Sequence, residues 1–121
     1  MNDVADKYSL DNTLESVKNA AVKNIVNIFQ DDCRMIILYG SCARGDYNED
    51  SDVDIAILTG SEREGAKKYN AQIDDVATQI SIDTMAVVNF VCLPYKEYEE
   101  KKTWYPYFKN IADEGVILYE R

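Results

Sequence analysis

Gly40-Ser41-Cys42-Ala43-Arg44-Gly45-Asp46-Tyr47-Asn48-Glu49-Asp50-Ser51-Asp52-Val53-Asp54 joins a Gly-Ser turn to two carboxylates spaced two residues apart. The apolar run Met35-Ile36-Ile37-Leu38-Tyr39 leads into it and Ile55-Ala56-Ile57-Leu58 leads out. Both runs have the length and composition of buried strands. The stretch therefore reads as strand, tight turn, polar loop and second strand.

In a strand, residues two apart point to the same face, so Asp52 and Asp54 stand together, about 6.6 Å apart along the chain, while Val53 and Ile55 face the other way. At an effective dielectric of about 20 their repulsion is on the order of 2–3 kcal/mol. A bound divalent cation turns that cost into attraction. Magnesium takes one or two carboxylates together with phosphate oxygens, and two such ions can clamp both the attacking and the leaving oxygen of a phosphoryl transfer. Gly40 lets the backbone turn sharply, and the N–H groups that follow it open a helical turn toward an anion. Ser41 adds a hydroxyl donor, and Arg44 is placed to offset charge on a leaving pyrophosphate. A Gly-Ser turn alone is usually only a turn, and a D-x-D pair alone is often a solvated face. The conjunction, across a nine-residue loop from Cys42 to Asp50 plus Ser51, reads as a site for a metal-bound nucleoside triphosphate.

A chain of 121 residues is expected to form one domain, residues 1–121. With 13 Lys+Arg against 22 Asp+Glu the formal charge is −9, which argues against free nucleic acid and anionic membrane as partners. No apolar stretch approaches the roughly 18 residues of a membrane span, and the polar start Met1-Asn2-Asp3 does not resemble a signal peptide, so a soluble, cytoplasmic protein is expected. Cys33, Cys42 and Cys92 form no C-x-x-C pair and are read as reduced thiols. Cys42 is read as a small residue tolerated in the turn. The chain has no histidine, which removes Ser-His and Cys-His mechanisms and most catalytic zinc sites. The chemistry is left to carboxylates and a hard cation.

Along the chain, Leu14, Val17, Ala21, Ile25, Ile28 and Phe29 predict a helix over 12–30, with Asn12 and Glu15 as a capping pair. Strands are predicted at 35–39 and 52–58. Ser61 and Glu64 read as a second capping box, opening a helix that buries Ala66, Tyr69, Ile73, Val76, Ala77 and Ile80. A third strand is predicted over 83–92; apolar residues at both parities imply cover on both faces and a central place in the sheet. Pro94 stops it, a short helix follows at 95–101, and Pro106 opens a last helix ending at Gly115. Residues 116–119 close as a strand. The fold class is α/β (α+β), a small mixed sheet flanked by helices. Tyr95, Tyr98, Trp104, Tyr105, Tyr107 and Phe108 crowd the tail, either packing the last helices on the sheet or forming a partner surface. Lys96, Glu97, Glu99, Glu100, Lys101 and Lys102 read as a charge-compensated solvated face.

Gly40-Ser41-x-Ala43-Arg44-Gly45 followed by Ser51-Asp52-x-Asp54-Ile55 resembles the signature of the DNA polymerase beta-like nucleotidyltransferase superfamily in both residues and spacing. The chain resembles in particular the minimal nucleotidyltransferases, the MntA-type antitoxins that pair with HEPN-domain toxins. The resemblance implies a nucleotidyltransferase fold in which Asp52 and Asp54 bind Mg2+ and Gly40 and Ser41 hold the triphosphate. Arg44 and Ser51 complete the nucleotide-binding candidates. It also implies a third acid on a later strand, both metal ligand and base, for which Asp83 is the candidate; a plain helix-to-strand turn residue is the alternative for that position. The activity implied is transfer of AMP from ATP to a tyrosine hydroxyl of a HEPN-domain toxin, with the acceptor carried by that partner. Two other readings stay open: an antitoxin that neutralises by stoichiometric binding without catalysis, and a small-molecule nucleotidyltransferase of antibiotic-modifying type. Homo- or hetero-oligomeric assembly is also open.

Overall fold

The computed structural model describes residues 3–121, with side chains from Ser9 onward. The comparison of the polar start with a leader peptide falls on Met1 and Asn2, which lie outside the described residues. The elements are α1 (Asp3–Phe29), a 3-10 turn (Gln30–Asp32), β1 (Cys33–Tyr39), α2 (Ser41–Arg44), β2 (Val53–Thr59), α3 (Arg63–Ala66), a 3-10 turn (Lys67–Tyr69), α4 (Asn70–Thr84), β3 (Val88–Pro94), α5 (Tyr95–Lys101), α6 (Pro106–Glu114) and β4 (Val116–Glu120). Four strands form one sheet in the order β3-β2-β1-β4. β1 is antiparallel to both β2 and β4, and β2 is parallel to β3. The parallel pair requires a long crossover, which α3 and α4 supply. This is the mixed sheet flanked by helices that the sequence implies.

Strand alternation divides the core in two. Ile36, Leu38, Val53, Ile55, Ile57 and Val88 pack with Val17, Ala21 and Ile25 of α1 and Ile73 and Ile80 of α4. On the opposite face Met35, Ile37, Ala56, Leu58 and Leu93 meet Tyr98 of α5 and Phe108 and Ile111 of α6. Burying each large side chain contributes about 1.5–3 kcal/mol, so β1 and β2, covered on both sides, carry most of the cohesion. The tail aromatics divide accordingly: Tyr98 and Phe108 are buried, while Trp104, Tyr105 and Tyr107 are exposed. Glu97 pairs with Lys101 and Glu99 with Lys102, as expected of a compensated face.

Four departures from expectation matter, beside shifts of one or two residues at the ends of β1, β2 and β3. First, α1 runs back to Asp3, so Asn12 and Glu15 lie inside the helix and cap nothing. Leu10, Leu14 and Val17 line one cavity and continue the apolar stripe past the expected start. Second, Ser61 donates to Asp32 at 2.5 Å instead of capping, and Glu62 occupies the N-cap. The helix there is broken by the Lys67–Tyr69 turn, where Tyr69 stacks on Phe29 with ring centroids 4.0 Å apart.

Third, β3 begins at Val88, not at 83. Residues 81–84 belong to the last turn of α4, which ends at Met85 in the left-handed region with φ 65°. That position is usually a glycine; a methionine there, after the β-branched Thr84, disguises the helix end as a strand. Fourth, β3 is an edge strand and not a central one. Its two apolar parities are explained because helices cover both faces even at the edge: Phe90 and Cys92 pack toward α1 and α4, Val91 and Leu93 toward α5 and α6.

Gly115, between α6 and β4, is fixed by sterics: a Cβ there would lie 2.3 Å from the Ile111 carbonyl oxygen and 2.5 Å from Ile37 Cγ2. Gly115→Ala should therefore lower unfolding stability by about 1–3 kcal/mol, the usual range for an overpacked core. Urea titration followed by circular dichroism measures this, as a lower midpoint with an unchanged slope.

Candidate active site

Asp54 lies within β2, paired in register with Tyr39 of β1 on one side and Asn89 of β3 on the other. Asp52 precedes the first residue of β2 by one position and is exposed; Asp54 is partly buried. The two carboxylates share the sheet face that carries Ala56 and Leu58 further along β2, the face covered by α5 and α6. Val53 and Ile55 are buried on the opposite face among α1 and α4. The side-chain amide of Asn89 donates from Nδ2 to Asp52 Oδ2 at 3.1 Å and to Asp54 Oδ1 at 3.2 Å.

Gly40 completes this corner. Its backbone has φ 77° and ψ −158°, a combination essentially restricted to glycine. A Cβ at this position would stand 2.7 Å from Asp54 Oδ2, so the missing side chain keeps the turn against the acid. The carbonyl of Gly40 accepts from Ala43 and Arg44 N–H, both at 3.1 Å. The N–H groups of Ser41 and Cys42 thus precede the first bond within α2. Cys42 Sγ reaches the Asp52 carbonyl oxygen at 3.5 Å, tying α2 to the start of β2. Burial pushes the Cys33 and Cys92 thiols up to about 11, so both are inert at neutral pH.

Ser51 shapes the loop between turn and acids: its hydroxyl accepts from Asn48 N–H at 3.0 Å, and its own N–H donates to the Asn48 carbonyl at 3.1 Å. Arg44 points to carboxylates, bonding Glu114 of α6 at 3.1 Å and Asp46 at 3.4 Å. Asp83 is not brought to the pair. It is exposed in the last turn of α4, where its carboxylate accepts from Gln79 Nε2 at 2.9 Å. This corrects its placement at the entrance of β3. Among the described residues no three His, Cys, Asp or Glu side chains converge as a metal-binding group. The carboxylates that the structure brings together at this corner are Asp52 and Asp54, both bonded by Asn89.

Three contributors were not anticipated from sequence. Asn89 is the first; its signal was a lone amide inside the apolar run Val87-Val88-Asn89-Phe90-Val91. Tyr39 and Tyr107 are the others. Burial pushes the Tyr39 hydroxyl well above the ordinary tyrosine range, reinforced by its hydrogen bond with Tyr107 and by the charge of Asp54. Tyr39 therefore stays a neutral hydroxyl beside the acids. The residues present fit a divalent cation with a phosphate: two carboxylates on one face, hard oxygen donors, and a side-chain-free backbone corner against one of them.

Residues 23–121 match the family described as polymerase beta, nucleotidyltransferase. A protein of Methanocaldococcus jannaschii named as a candidate protein adenylyltransferase is 33% identical over 103 residues, spanning 82% of this chain and 95% of the relative. Among solved structures, a toxin–antitoxin crystal structure with AMP-PNP superposes with a TM-score of 0.52 at 19% identity, covering 82% of this chain and 73% of that one. A chain of the complex of tri-AMPylated Shewanella oneidensis HEPN toxin with MNT antitoxin superposes at 0.55 and 17% identity, covering 88% and 72%. At those identities the likeness is one of fold.

Gly40→Ala should lower stability by roughly 1–3 kcal/mol from the backbone conformation alone and displace Asp54 from the turn. Thermal melting reads the first effect, and the loss of nucleotide-dependent stabilisation reads the second.

Proposed function

This chain belongs to the polymerase beta nucleotidyltransferase family and is a nucleotidyltransferase; we propose that it is an Mg2+-dependent adenylyltransferase that moves AMP from ATP to a hydroxyl on a partner protein. The observation that carries this reading is the contact of three parts: Asp52 and Asp54 side by side, bridged by Asn89, with the Gly40 turn closed against Asp54. Asp52 and Asp54 would hold the cation. When bound, the cation supplies positive charge at the phosphate oxygens. Gly40 lets the triphosphate approach the backbone, and the leading N–H groups of Ser41 and Cys42 with the Ser41 hydroxyl receive its terminal phosphates. In the transfer, the acceptor hydroxyl gives up its proton to solvent water as its oxygen bonds to the α-phosphorus, the bond from that phosphorus to the bridging oxygen breaks, and pyrophosphate leaves with the electron pair of that bond. Arg44, to meet the pyrophosphate, would exchange Glu114 and Asp46 for phosphate oxygens; Ser51 serves by holding the loop in shape.

The acceptor is read as a tyrosine of a HEPN-domain toxin, and the biological role as that of an antitoxin. Support comes from the relative named as a candidate protein adenylyltransferase and from the fold shared with a chain of a complex whose HEPN toxin is tri-AMPylated. Exposed Trp104, Tyr105 and Tyr107 suit a protein partner, since such side chains anchor interfaces. The chain is read as one domain, residues 1–121, acting in the cytoplasm. Among its described residues no helix is long and apolar enough to cross a membrane.

Incubation with α-labelled ATP, Mg2+ and the cognate HEPN partner should label the partner. Replacing Asp52 and Asp54 by Asn should reduce labelling by about a hundredfold or more, with complex formation kept. Unchanged labelling overturns the mechanism. Neutralisation of the toxin by the double variant at equal molar ratio, without labelling, favours the binding-only antitoxin instead.

A further inference from the structure

Asn89 stands where β3 faces the acid pair, and its amide nitrogen donates to both carboxylates at 3.1 and 3.2 Å. One NH2 group has two hydrogens, and here each has its own acceptor. Two like charges on adjacent same-face positions would otherwise turn apart to gain water between them. The shared donor draws Asp52 Oδ2 and Asp54 Oδ1 toward one point instead. It does so without adding charge, because an amide is neutral. A carboxylate in the same place would bring a third negative charge against the other two and could donate nothing.

Resting on the reading of Asp52 and Asp54 as cation ligands, we propose that Asn89 is a positioning residue that holds the two carboxylates converged before a cation arrives and confines the nucleotide-free chain to one divalent ion. Two negative charges are balanced by a single divalent cation. Any second cation used in transfer must then enter with the triphosphate, which brings its own oxygen ligands. Asn89 is well suited to this duty and poorly suited to a purely structural one. It is exposed on an edge strand, and its neighbours Val88 and Phe90 carry the packing on the other face.

The test is direct binding of Mn2+ to the nucleotide-free full chain, read from the free-ion electron paramagnetic resonance signal, for wild type, Asn89→Ala, Asn89→Asp and the Asp52→Asn/Asp54→Asn pair. Wild type should bind one ion per chain, and the Asp pair variant none. Asn89→Ala should bind one ion roughly tenfold more weakly, as expected when an orienting hydrogen bond to a metal ligand is removed. Its melting temperature in chelator should remain close to that of wild type. Asn89→Asp, with a third carboxylate, should bind Mn2+ more tightly or take a second ion. In the labelling assay Asn89→Ala should need about tenfold more Mg2+ for half-maximal rate, with the lost rate recovered as Mg2+ is raised. That recovery would not accompany a merely misfolded strand. Wild-type affinity in Asn89→Ala, or two ions on the nucleotide-free wild type, overturns this inference and leaves the transfer reading standing. No ion on the wild type overturns both.

Discussion

β2 cannot slip. Val53, Ile55 and Ile57 are locked into the layer under α1 and α4, while Ala56 and Leu58 are locked under α5 and α6. Because side chains alternate with a period of two, moving the strand by one residue would drive Asp54 into the apolar layer and lift an isoleucine to the surface. The carboxylate pair is therefore fixed in space by the same burial that holds the sheet together. Everything else at the site is placed relative to that strand: Gly40 by the antiparallel pairing of β1, and Asn89 by the parallel pairing of β3.

The helices complete the arrangement with different duties. α1 and α4 close one side of the sheet and contribute no side chain to the acids. α5 and α6 cover the side that carries the acids, and α6 reaches the motif through Glu114 on Arg44 and through Tyr107 on Tyr39. The tail of the chain and its Gly-Ser turn, some 70 residues apart in sequence, thus share one corner. An exposed ion pair such as Arg44–Glu114 contributes little to stability; it turns the guanidinium toward the carboxylate of α6.

How much of this was legible depended on whether the signal was local. Gly40, Ser41, Asp52 and Asp54 stood out because a turn residue and a period-two acid pair bracketed by apolar runs constrain the backbone within a few positions. The helix over Tyr95–Lys101 and the start at Pro106 matched because a proline marks the start of each helix. The end of α4 was misread because Met85, not glycine, takes the left-handed position, so β-branched Thr84 passed for a strand residue and carried Asp83 with it. Asn89 was missed for a related reason: the lone amide in an apolar run marks the position, but its place beside the acids comes from a parallel register across the crossover, which no local pattern encodes. Arg44 was visible as a cation near phosphate-binding residues, but its partner Glu114 was not, since nothing in either neighbourhood refers to the other.

The division of the core into two unequal duties sets where this sequence is free to drift. Side chains beneath α1 and α4 hold the register of β2 through their volume and hydrophobicity, so an exchange that keeps both leaves the acids where they are. Those beneath α5 and α6 answer also to the placement of two acids and an amide a few ångströms away.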